Sequence, residues 1–294
     1  MKKILMTLAA VLCCAVYAFG QDGQEGRNRT YRITLNNVQY AHHDEKMSTG
    51  DAVGKILSGA LTGQTSVQAT EYEDDVKNAI IRGLSGAYRF RYNNGLLQLD
   101  DIVEEGNLVV DAIITNIKAN SSNRTWKDKD YKTQVSTKYT GVAEVMLTLK
   151  DAKTGEVVAN PSFNGQGISG SSYSTSDKAI QEALNALSKR ITVWLNKYRP
   201  LQANILEGGA AKKDKQKEVY IDFGSNEGAF VGLHMGVYIV KTVAGREAKS
   251  QIGKLKIEAV EGDDISRCKV QSGGKEIKAA LDAGQQLQVI SIDK

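Results

Sequence analysis

Between Gly224 and Tyr238 the sequence reads GSNEGAFVGLHMGVY, with glycines at 224, 228, 232 and 236. A glycine every four residues fits three structures: a phosphate-cradling loop, a packing seam on a membrane helix, or turns between strands. A membrane seam needs its small residues inside an apolar helix, and Asn226 and Glu227 interrupt the run. A phosphate loop needs Gly-Lys-Ser/Thr opening a helix. This stretch has no lysine and opens a strand-like run instead. Turns and a bulge between two strands of a small barrel remain.

The surrounding sequence supports that choice. Five strand-like runs, EVYIDF, GVYIVKTV, GKLKIEAV, ISRCKVQS and QQLQVISI, follow one another with turn residues between them. No helix of any strength interrupts them, so a closed five-stranded barrel is expected over 219–294. Just before it, EGGAAKKDKQKE (207–218) is charged, glycine-bearing and without hydrophobic period, which reads as a domain linker.

Upstream, strands and helices mix. YRITLNNVQY reads as a first strand. AVGKILSGALTG reads as a short helix weakened by three glycines. EYEDDVKNAIIRGLSGAYRF is a better helix, with Val76, Ile80, Leu84 and Ala87 on one face and acids at its start. NLVVDAIITNI is apolar on both faces, as in a strand covered on both sides. GVAEVMLTLKDAKTGEVVANPSFNGQG reads as a hairpin turning at Lys153-Thr154-Gly155. In SDKAIQEALNALSKRITVWLNKYRP, the residues Ile180, Leu184, Leu187, Ile191, Trp194 or Leu195, and Tyr198 form one helical stripe that Pro200 stops. Residues 21–206 are therefore expected to form an α+β sandwich, a mixed sheet covered by helices.

The N-terminus, MKKILMTLAAVLCCAVYAFGQ, has the charged, apolar, small-residue order of a secretory signal, expected to span 1–20. The rival is lipidation at Cys13 or Cys14, where Leu12 and Cys13 stand in place of the preceding small residue that such processing favours. Removing the signal leaves Cys268 alone, so no internal disulfide is expected and packing must stabilise the exported chain. The formal charge of +4 falls to +2 without Lys2 and Lys3, which gives no electrostatic reason to expect nucleic acid.

Residues that could carry chemistry are few. His42, His43, Asp44 and Glu45 offer four ligand types in a row, but adjacent residues do not readily converge on one ion. His234 has no nearby nucleophile, and GISGSS lacks the strand-turn-helix setting of a nucleophile elbow. Asp111 sits in an apolar strand without a paired carboxylate, and Cys268 shares a strand face with Val270 as a core thiol would. No catalytic, metal or cofactor site is expected, and the chain is read as a non-enzyme. The loop NSSNRTWKDKDYKTQ is different. It sets Trp126 and Tyr131 among Arg124, Lys127, Lys129 and Lys132 at an expected hairpin tip, a composition suited to protein or glycan contact. The plainer alternative is a solvated tip whose Trp126 folds back on the sheet.

The segments GAYRFRY, GNLVVDAIITNI, LTLKDAKTGEVV and the helix after SDKAI resemble the CsgG-like family of envelope-assembly proteins. That family includes the curli-secretion component CsgG, penicillin-binding-protein activator lipoproteins and the middle domain of flagellar assembly protein T. The resemblance covers Tyr31 to Tyr198 and implies an anticodon-binding-domain-like sandwich. VYIDFGSNEGAFVGLHMGVY, GKLKIEAV and AGQQLQVI resemble the SH3-like C-terminal domain of flagellar assembly protein T, over Val219 to Ile292. Together they imply a non-enzymatic role in a Gram-negative envelope, periplasmic or outer-membrane associated. The expected partners are envelope proteins, further copies of the chain, peptidoglycan or the outer membrane. The same resemblance allows a regulator that activates a cell-wall synthase, or a secretion pore. The segment TGEVVANPSFNGQGISGSSYSTSDK (154–178) is too short for the family's second membrane hairpin. Tyr131, Thr133, Val135, Thr137 and Tyr139 do alternate with polar residues in the way of an outer-membrane strand. An envelope glycan hydrolase would need a pair of perturbed carboxylates, and none can be named from the sequence.

Overall fold

The computed structural model describes residues 27–41, 72–94, 104–167 and 172–293. The expected signal at 1–20, the His42–Glu45 loop and the helix expected in AVGKILSGALTG lie outside these residues. The chain divides into two compact units, Tyr31–Leu195 and Asn196–Lys294, the second including the N-terminal residues up to Thr30.

The first unit contains β1 (Tyr31–Tyr40), α1 (Glu73–Ser85), β2 (Phe90–Tyr92), β3 (Leu108–Lys127), β4 (Thr133–Asp151), β5 (Val157–Ala159), β6 (Ser162–Gln166) and α2 (Ser176–Tyr198). The strands form one sheet in the order β2-β1-β3-β4-β5, with β6 also paired to β4. β1 runs parallel to β2 and β3, and the other pairs are antiparallel, so the sheet is mixed.

Alternation builds its core face. Leu108, Val110, Ala112 and Ile114 of β3 stand opposite Asp151, Leu149, Leu147 and Val145 of β4, and all are buried. The intervening residues Val109, Asp111 and Ile113 are half-buried. The expectation of a strand covered equally on both faces is therefore corrected. Asp111 explains the difference: its carboxylate pairs with Lys150 at 2.9 Å and accepts a hydrogen bond from Asn36 at 2.8 Å.

α2 buries Ile180, Leu184, Leu187, Ile191 and Leu195 of the stripe read from its periodicity, together with Ala183, while Tyr198 at its end is half-buried. Each large side chain of that stripe contributes roughly 1.5–3 kcal/mol of burial. Trp194 lies at the stripe's margin and meets Phe163 edge-on, with ring centroids 6.1 Å apart. Small residues let this helix reach the sheet: a Cβ on Gly141 would stand 2.0 Å from the Ala179 carbonyl oxygen, and one on Gly165 2.3 Å from that of Ala183.

The expected hairpin turn at Lys153-Thr154-Gly155 is built on Asp151. Its carboxylate accepts hydrogen bonds from the backbone N–H groups of Gly106, Lys153 and Thr154 at 2.8, 2.9 and 3.0 Å. These donors, Gly106 foremost, hold its carboxyl below the usual carboxylate range.

The second unit contains β7 (Gln202–Gly208), β8 (Ala211–Lys212), β9 (Lys215–Gln216), β10 (Glu218–Ile221), β11 (His234–Val243), β12 (Arg246–Val260), β13 (Ser266–Ser272), α3 (Gly274–Asp282) and β14 (Leu287–Ser291). Six strands close a barrel in the order β10-β13-β12-β11-β14-β7. Val219, Ile221, Met235, Val237, Leu255, Ile257, Cys268, Leu287 and Val289 fill it.

Three expectations are corrected here. The barrel has six strands, because β7 pairs with both β10 and β14 and closes the gap that five strands would leave. The segment 207–218 is not a linker: it ends β7, makes the β8–β9 hairpin and enters β10. Its charges face outward, but Gln216 is buried and donates to the carbonyls of Glu218 and Gly209 at 2.7 and 3.0 Å. Finally, a helix does interrupt the strands. α3 is short for independent stability but inserts Ile277 and Ala280 into the barrel core.

The four glycines of the 224–238 stretch answer to different needs. Gly228 and Gly232 have φ of +87° and +99°, the turn conformation that only glycine adopts freely. A Cβ on Gly224 would stand 2.1 Å from the Asp263 carbonyl oxygen. Gly236 lies inside β11, just before the register shift at Val237/Tyr238 that marks the expected bulge.

Candidate docking site

All six residues singled out at the expected hairpin tip come together at the end of one projecting ribbon. β3 and β4 continue past the sheet as a two-stranded arm, with eight residue pairs from Asn120↔Thr140 to Lys127↔Thr133. At strand rise the arm is about 25 Å long. Nearly all of its residues from Asn120 to Thr140 are exposed. At its base Tyr139 exchanges two backbone hydrogen bonds with Tyr173, both 2.9 Å. A free two-stranded ribbon is marginally stable in water. This one is anchored because its strands run without interruption into the buried sheet.

The register sorts the arm's side chains. Ser121, Asn123 and Thr125 share a face with Tyr139, Thr137 and Val135, while Ser122, Arg124 and Trp126 share the other with Lys138, Ser136 and Gln134. Neither face forms the continuous apolar band of a lipid-facing strand pair.

Asp128 organises the tip. Its Oδ1 accepts from the N–H groups of Asp130 and Lys132 at 3.0 and 2.9 Å, and its Oδ2 from the Gln134 side chain at 2.8 Å. The Gln134 bond first, then the Lys132 and Asp130 amides, hold its carboxyl below the usual range. The tip therefore keeps a negative charge at its base and directs outward the cations of Lys127, Lys129 and Lys132.

The sequence singles out Tyr131, but its backbone conformation is not legible there. It is 82 % exposed and has φ of +58°. A non-glycine residue in that region costs about 1 kcal/mol, and no burial of the ring offsets it. Glycine or asparagine would suit the turn better. No periodicity signals such a position, because it arises from the five-residue geometry of the tip. Trp126 is 45 % exposed, half-covered rather than folded fully onto the sheet.

The other residues weighed from sequence sit in structural settings. Cys268 is fully buried in the barrel core, and burial pushes its thiol pKa up to about 12. His234 begins β11, with Nδ1 3.1 Å from the Gln271 amide oxygen. Among the described residues, no group of three or more His, Cys, Asp or Glu side chains is placed to hold a metal ion. No helix among them is long and apolar enough to cross a membrane.

No protein-family model matches the chain, and no curated protein matches its sequence. Solved structures that align with it include a DUF330-family protein from Xanthomonas campestris, at 11% identity over 58% of this chain and 87% of that one, with a TM-score of 0.31. A neuraminyllactose-binding hemagglutinin homolog from Helicobacter pylori aligns at 11% identity over 59% of this chain and 89% of that one, with a TM-score of 0.26. The lipoprotein GNA1162 from Neisseria meningitidis aligns at 12% identity over 49% and 88%, with a TM-score of 0.18. Likeness this slight assigns neither a family nor an activity.

Proposed function

We propose that this chain is a non-enzymatic assembly or scaffold component of a Gram-negative envelope, exported to the periplasm, and that the β3–β4 arm is its docking element. The observation that carries this reading is Tyr131: a large aromatic residue, largely exposed, in a strained backbone conformation at the end of a two-stranded ribbon. Strain retained without packing compensation is characteristic of residues that act on something outside the chain. Trp126 and the surrounding cations have the composition of a binding hot spot. The resemblance to CsgG-like envelope-assembly proteins, carried by GNLVVDAIITNI and LTLKDAKTGEVV, points the same way.

A secretion pore is the weaker form of this reading, because both faces of the arm are polar along most of its length. Activation of a cell-wall synthase needs the same exposed arm and differs only in the partner.

The test places a photo-crosslinking residue at position 126 or 131 in cells that export the chain. Discrete protein adducts from both positions are expected, and they should weaken when the other aromatic is replaced by alanine. If neither position gives an adduct while the chain is exported and folded, the docking reading fails.

A further inference from the structure

The barrel unit carries a groove of opposite character to the arm tip. It lies between β7, β10 and the turn that joins β12 to β13, and encloses about 660 Å³, within the usual range for ligand clefts. Its floor is apolar, formed by Leu206, Tyr220 and Ile265, of which Leu206 and Ile265 are 52 % and 42 % exposed. Its wall carries the carboxylates of Glu207, Glu261, Asp263 and Asp264.

Two of these carboxylates are already engaged. Glu261 pairs with Arg267 Nε at 2.8 Å, and Asp263 accepts from the Ser225 hydroxyl at 3.1 Å. Arg267 is itself shared among Glu218, Glu258 and Glu261, so it neutralises little of the groove. Glu207 and Asp264 have no ion-pair partner among the described residues. An apolar floor under unneutralised carboxylates suits an aromatic side chain flanked by cations.

The arm tip presents that chemistry, with Trp126 and Tyr131 among Arg124, Lys127, Lys129 and Lys132. We infer that the arm tip of one copy docks in this groove of a second copy, its aromatic residues on Leu206 and Ile265 and its lysines against Glu207 and Asp264. This rests on the docking reading above and names the partner. The contact joins two different surfaces, so it is made either reciprocally in a two-fold dimer or head-to-tail in a ring or filament. Its charge pairing lies at the rim, so association must weaken as salt screens it.

The test is native mass by light scattering on the purified chain, over a range of concentrations at low and high ionic strength. Wild type should associate at low salt and dissociate at high salt. Lys127→Glu with Lys129→Glu, or Glu207→Lys with Asp264→Lys, should each weaken association about tenfold or more through like-charge contacts. An equimolar mixture of the two double variants should restore association, because reversed tips then meet reversed grooves and unchanged tips meet unchanged grooves in alternation. Combining all four substitutions in one chain should restore it too. Circular dichroism verifies that these exposed substitutions leave folding intact.

A monomer at every concentration in low salt overturns the inference. So does association that the groove substitutions leave unchanged, or a tip-to-groove crosslink found only at monomer mass. Tip adducts with a different protein would overturn it too, while leaving the docking reading standing; absence of any adduct would overturn both.

Discussion

The Thr192 hydroxyl donates a hydrogen bond of 2.8 Å to the carbonyl oxygen of Gly83, joining α2 to α1 across 109 residues of sequence. The two helices come this close because Gly83 has no side chain. A Cβ there would stand 2.8 Å from the Ile191 Cβ and 2.9 Å from the Ser188 carbonyl oxygen. Gly83→Ala would ordinarily stabilise a helix by about 1 kcal/mol. Here the backbone oxygen and the branched Ile191 cannot yield without moving the helix. The substitution should therefore destabilise the chain by about 1–3 kcal/mol, as overpacking does. Urea unfolding of the two proteins measures this, and a gain in stability would mean that the helices sit farther apart.

Asp151 should make the first unit sensitive to acid. Its folded pKa lies below the unfolded value, so the stabilisation is present above about pH 5 and drains away as pH falls through about 3.9 toward the folded value. Asp151→Asn keeps one acceptor but loses the charge, and should cost about 1–2 kcal/mol at neutral pH. The gap between wild type and variant should narrow progressively as pH falls below about 3.9. A gap that stays constant with pH would show that the charge contributes nothing.

The two kinds of glycine in the 224–238 stretch should respond differently to alanine. Gly228 has φ of +87° and open space around it, so Gly228→Ala meets only backbone strain, about 1–2 kcal/mol. Gly224→Ala drives a methyl group into the Asp263 backbone and must displace the turn. Thermal unfolding should therefore place Gly224→Ala well below Gly228→Ala. The reverse order would contradict the contact between these two segments.

Cys268 should be inert in the folded chain. With its pKa at about 12, only a minute fraction is thiolate at neutral pH, and the barrel wall blocks approach. Peptide mass spectrometry should find Cys268 alkylated by iodoacetamide at least about a thousandfold more slowly in native than in denatured chain. Comparable rates would place the thiol outside the core.

Much of this architecture is legible in the residue order because short-range periodicity follows from backbone geometry. The alternation of Val145, Leu147 and Leu149 identified a strand, and the Ile180 to Leu195 spacing identified the face α2 buries. Lys153-Thr154-Gly155 named its turn. The arm tip was legible as a composition, Trp126 and Tyr131 among cations. Its projection as a free ribbon was not, since that depends on where the neighbouring strands stop pairing.

What tertiary structure alone decided were features set by distant partners. Residues 207–218 have the composition of a linker, yet they end β7, form the β8–β9 hairpin and enter β10, while β7 itself closes the barrel between β10 and β14. α3 is too short to persist by its own propensity and exists because Ile277 finds the core. Arg27, upstream of β1, donates from its guanidinium to Asp222 at 2.9 Å across 195 residues. Local sequence determines which conformations a segment prefers in isolation. Burial and hydrogen-bond satisfaction with remote segments choose among them, and that information resides in the assembled chain.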